Sequence, residues 1–74
     1  MPEGLEEAAR LYDAAAEELE QAAKHCRTAA GHFRDQEVPR GAAHAWAAYG
    51  HIRAAEDSLD EQARAHASKS VPLD

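Results

Sequence analysis

Leu5, Tyr12, Leu19, Cys26 and Phe33 stand seven residues apart, and a pair of alanines lies between each and the next: Ala8-Ala9, Ala15-Ala16, Ala22-Ala23 and Ala29-Ala30. A sustained seven-residue apolar repeat keeps one stripe on one side of an α-helix, and it fits no strand. Helix breakers cluster in three places: Pro2 and Gly4, Pro39 and Gly41, and Pro72. They divide the chain into two long helical segments. The only β-branched residues are Thr28, Val38, Ile52 and Val71, and none lies in an alternating run.

The first helix is expected over about residues 2–34. Pro2 suits a first turn, Glu3, Glu6 and Glu7 suit the positive helix N-terminus, and Lys24, Arg27 and Arg34 fall in its C-terminal part. Gly31 is a candidate stop, but the repeat runs on to Phe33 and favours the longer helix. Residues 35–38 form the connection. Val38 precedes proline and is biased out of the α region. Pro39 then opens the second helix, expected over residues 39–69, with a flexible tail at 70–74. So short a loop makes the helices antiparallel neighbours. The second helix repeats Ala45, Ile52, Leu59 and His66 every seven residues, with Tyr49 and Trp46 close by. Folded about the loop, Phe33 is expected to face Ala45, Cys26 to face Ile52, and Leu19 to face Leu59. The dimer and core seam therefore comprises Leu5, Tyr12, Leu19, Cys26, Phe33, Trp46, Tyr49, Ile52 and Leu59, with Trp46 beside the hairpin stripe and in need of a second layer.

Composition now sets a limit. Of 33 apolar residues, 19 are alanine, which favours helix strongly but adds little burial. A 74-residue chain with so few large side chains cannot build a substantial core alone. A single cysteine, Cys26, allows no internal disulfide. The remaining staples are a metal or a partner. The fold class expected is all-α: a two-helix antiparallel hairpin of one domain, pairing as a homodimeric four-helix bundle.

Net charge is −6, with no basic stripe. That argues against nucleic acid and against anionic membranes as partners. No apolar run approaches the roughly 20 residues that span a bilayer. An acidic start and a lone cysteine point to the cytoplasm.

Five histidines are the most informative polar residues. His25 and His32 are seven apart, each one position before a seam residue, and so are His44 and His51. In an antiparallel pair, His25 is expected near His51, and His32 near His44. Imidazoles gathered across a bundle bind zinc, copper or nickel. Two histidines seven apart on one helix are about 10.5 Å apart, so one ion cannot use both. The competing reading is half-buried polar cover hydrogen-bonded to acids. No histidine has an acid three residues before it, which removes the di-iron Glu-x-x-His pattern. Cys26 on the seam reads as a small hydrophobe.

No nucleophile, base and oxyanion set can be assembled, so an enzyme is not expected. His51-Ile52-Arg53 resembles the phospho-acceptor segment of sensor histidine kinases over three residues only. It lacks the acid after the histidine and the Thr-Pro that follow. The expected function is a non-enzymatic helical module that self-associates, with another helical protein as a further partner. The alternative is a small metal-binding bundle using His25, His32, His44 and His51. The first reading needs no cofactor, and the second needs a transition metal.

Overall fold

The computed structural model describes residues 3–72. Two helices, α1 (Glu3–Arg34) and α2 (Val38–Lys69), pack against each other. The molecule measures 56 × 31 × 12 Å. Its shortest dimension is that of one helix, about 10–12 Å with side chains, so the hairpin is a single layer. The expected all-α hairpin is therefore observed. Pro2 and residues 73–74, parts of the expected first turn and tail, lie outside the described residues.

α1 passes through Gly31 without interruption, and the Asp35 amide donates to the Gly31 carbonyl in a regular helical bond of 3.1 Å. The helix then closes in a Schellman motif. The Glu37 amide donates to the His32 carbonyl at 2.8 Å, and the Gln36 amide to the Phe33 carbonyl at 3.0 Å. Gln36 occupies the left-handed position, with φ 63°. α2 begins at Val38, one residue earlier than expected, with Glu37 as N-cap. Val38, expected outside the α region before Pro39, is instead the first residue of α2; the chain leaves the α region at Gln36 and Glu37, where the Schellman turn requires it. The Glu37 carboxylate makes no side-chain cap bond. It instead accepts from the Arg40 guanidinium at 2.9 Å.

The contact between the helices is not the seam expected from the large residues. Its buried members are Leu11, Ala15, Ala22 and Ala29 on α1, and Gly41, Ala48 and Ala55 on α2. These fall into a second heptad register, one residue before the expected one. On α1 it runs through residues 8, 11, 15, 18, 22, 25, 29 and 32. On α2 it runs through 41, 44, 48, 51, 55, 58 and 62. Both advance in steps of three and four residues, as an inward-facing row must.

The correction covers the residues expected to face each other between the helices; Trp46 is expected beside that stripe, toward a second layer. Leu5, Tyr12, Leu19, Phe33, Trp46, Tyr49 and Leu59 are exposed, Leu19 at 46% and Trp46 at 73%. Cys26 is exposed as well, and Ile52 is only half-buried. The reason is steric. The three residues of Asp35–Glu37 hold the helices close at the loop, and small side chains let the backbones stay close. Gly41 shows how close: a Cβ added there would lie 2.8 Å from the Phe33 ring. At the open end, a Cβ on Gly4 would meet the Lys69 ammonium at 3.3 Å. Among the described residues, the buried contact runs from Leu11 to Ala29 on α1 and from Gly41 to Ala55 on α2.

Candidate functional site

Two antiparallel helices are related by a half-turn about an axis normal to their common plane. Equivalent heptad positions therefore share a face of the layer. The residues following the alanine-rich row on each helix lie together on one face. The polar row of the seam, Glu18, His25 and His32 with His44, His51 and Ser58, lies toward the other.

The apolar face has its own period. On α1, Leu5, Ala9, Tyr12, Ala16, Leu19, Ala23, Cys26, Ala30 and Phe33 follow one another in steps of four and three. On α2 the same steps give Ala45, Tyr49, Ile52, Glu56, Leu59, Ala63 and His66. This explains why alanine comes in pairs. The first alanine of each pair turns toward the partner helix, and the second joins the outer row. At the outer edge of α2, Trp46 and Tyr49 meet edge-to-face with centroids 6.2 Å apart, and the Arg53 guanidinium stands 5.9 Å from the Tyr49 ring centre. The adjacent Tyr49 side chain raises the Arg53 pKa above its ordinary value.

The polar row carries the histidines. All four expected ligands come together, but in one line rather than in two separate layers. The His32 Nδ1–H lies 3.2 Å from the Glu37 carboxylate. The His32 ring stacks on His44, centroids 5.4 Å apart and planes 20° off parallel. His44 and His25 meet Nδ1 to Nδ1 at 3.0 Å. The His25 ring stacks on His51, again at 5.4 Å and 14°. The His51 Nδ1–H then reaches the Glu18 carboxylate at 2.8 Å. Four imidazoles thus run in file between two carboxylates, all half-buried.

The expected facing pairs, His25 with His51 and His32 with His44, are the stacked ones. The closest nitrogens belong to His25 and His44, which the sequence reading did not pair. Glu18 and Glu37 were missed too. The signal for Glu18 was present: it precedes His25 by seven residues, as His25 precedes His32. Glu37 joins the line only because the Schellman turn brings its position back against His32. A Schellman motif often carries an apolar contact at this point, and here an imidazole and a carboxylate fill it.

His66 is exposed and outside the line. No group of three or more His, Cys, Asp or Glu side chains forms a metal cage among the described residues. No helix among them is long and apolar enough to cross a membrane. On the surface of α1, Arg10 pairs with Glu7, one turn before it. The Arg10 hydrogen bond holds the Glu7 carboxyl below its usual pKa, and the Arg10 pKa is raised in return. Both are fully exposed, so solvent screens the effect. No protein-family model, curated protein or solved structure matches this chain.

Proposed function

We propose that this chain is a small non-enzymatic α-helical module whose role is self-association, with a second copy of the same hairpin covering its apolar face. The observation that carries this reading is the outer heptad row, which holds Leu5, Tyr12, Leu19 and Phe33 on α1 and Tyr49, Ile52 and Leu59 on α2. A row advancing in steps of four and three is the pattern by which helices recognise helices. Here it is written on both helices, on the face that the hairpin leaves exposed. The buried interior holds one leucine, five alanines and a glycine, too little to hold a domain of this size. A second copy presents the same stripe, so a two-fold contact between the two faces closes on itself as a four-helix bundle. The acidic charge and single thiol fit a reducing, cytoplasmic setting. Another helical protein with the same register is the competing occupant.

The test uses a charge placed mid-seam. Leu19→Glu or Leu59→Glu should lower helicity by circular dichroism, because the lone hairpin's interior is too small to hold the fold once the pair is broken. The same variants should halve the solution mass, because the new carboxylate would be buried unpaired between copies. A variant that keeps the mass of the parent removes this face from any self-contact.

A further inference from the structure

We propose that His25 and His44 form a two-point chelating site for one divalent transition-metal ion per chain. Their Nδ1 atoms are 3.0 Å apart, one ring on each helix. Two bare imidazole lone pairs at this distance repel. Either one nitrogen carries a proton and donates it to the other, or a cation lies between them. The neighbours make His25 and His44 the free pair. His32 and His51 each present their Nδ1 to a carboxylate, Glu37 and Glu18 respectively. Those bonds commit both Nδ1 atoms as donors and leave His25 and His44 as the facing nitrogens.

The geometry is close to what an ion needs. Zinc–nitrogen bonds of about 2.0–2.1 Å at a tetrahedral angle put two ligand nitrogens about 3.4 Å apart. The pair must open by only a few tenths of an ångström. The rings lie on adjacent helices with an alanine beside each in the inner row, Ala22 and Ala48, so small side chains flank the site. Both rings are half-buried, leaving one side for water to complete the coordination. Borderline-soft ions that accept imidazole, such as zinc, nickel, copper and cobalt, are the class selected. The site belongs to one chain and lies toward the face opposite the apolar seam. It therefore stands independently of the self-association reading.

The experiment is a thermal melt of the intact protein with zinc, nickel or cobalt added, compared with the same protein in chelator. Binding to the folded state alone should raise the melting temperature as metal rises. Chelator should reverse the shift, and acid should weaken it as protons compete for the two nitrogens. His25→Gln and His44→Gln should each abolish the shift, whereas His66→Gln, at an exposed histidine outside the line, should keep all of it. No shift with any of the three ions, or a shift surviving both substitutions, overturns the site. Should the glutamine variants fold poorly, imidazole nitrogen NMR on the parent protein decides. Paramagnetic nickel or cobalt should broaden the Nδ1 resonances of His25 and His44 first; no broadening, or broadening centred on His66, overturns it. Solution mass is followed in parallel, and a melting shift that appears only when the mass doubles also contradicts a site contained in one chain.

Discussion

Gly41 and Gly50 are both glycines within α2, yet they should respond oppositely to the same change. A Cβ at Gly41 would enter the Phe33 ring, with its nearest three atoms 2.8–2.9 Å away. Gly41→Ala must displace that ring or part the helices, and overpacking of this kind costs about 1–3 kcal/mol. A Cβ at Gly50 meets nothing within 4 Å, so Gly50→Ala should stabilise by about 0.5–1 kcal/mol through helix propensity alone. Denaturant midpoints of the two variants check the pair. Equal shifts in the same direction would mean that the helices are not in contact at Gly41. At this scale the sequence was only half legible. The histidine spacing showed that His25, His32, His44 and His51 share one side of the hairpin. It did not show which nitrogens meet, because that depends on ring rotation and on the axial stagger of the helices. It also passed over Glu18, which reads as one more acid on a helix surface until its register is counted.

The helices themselves were the legible elements. Proline and glycine clusters bracket two long periodic segments, and the observed ends agree within a residue or two at every described boundary. The turn was less so. Glycine is the usual residue for the left-handed position that closes a Schellman motif, and Gln36 there carries no such signal. A non-glycine side chain in this conformation costs about 1–2 kcal/mol. Gln36→Gly should therefore stabilise the protein by about 1 kcal/mol, less the entropy that glycine adds to the unfolded chain. An unchanged or lower melting temperature would argue that α1 does not end in this turn. His32 and Glu37 close the same turn from their side chains, 3.2 Å apart. Glu37→Gln keeps the shape but removes the charge. It should lower stability by less than about 1 kcal/mol, the usual range for partly exposed pairs, as read from the same denaturant midpoints.

For the molecule as a whole, the sequence carried both seams, and size misdirected the choice between them. Large apolar residues were assigned to the hairpin interior because burial of large side chains normally dominates stability. The three-residue connection reverses that preference inside this hairpin. It favours the smallest side chains, Ala15, Ala22, Ala29, Ala48 and Ala55, between the helices, and Leu19, Phe33 and Leu59 are left on the outer face. The register one residue away was visible in the alanine pairs, but nothing in one chain's sequence says which of two adjacent registers its own partner helix will take. The outcome is a layer one helix thick with an apolar face, and the central claim is that a second copy covers it. Light scattering coupled to size exclusion, run on the unmodified protein across micromolar concentrations, tests this most directly. The account predicts the mass of two chains throughout that range, and the mass of a single chain would contradict it.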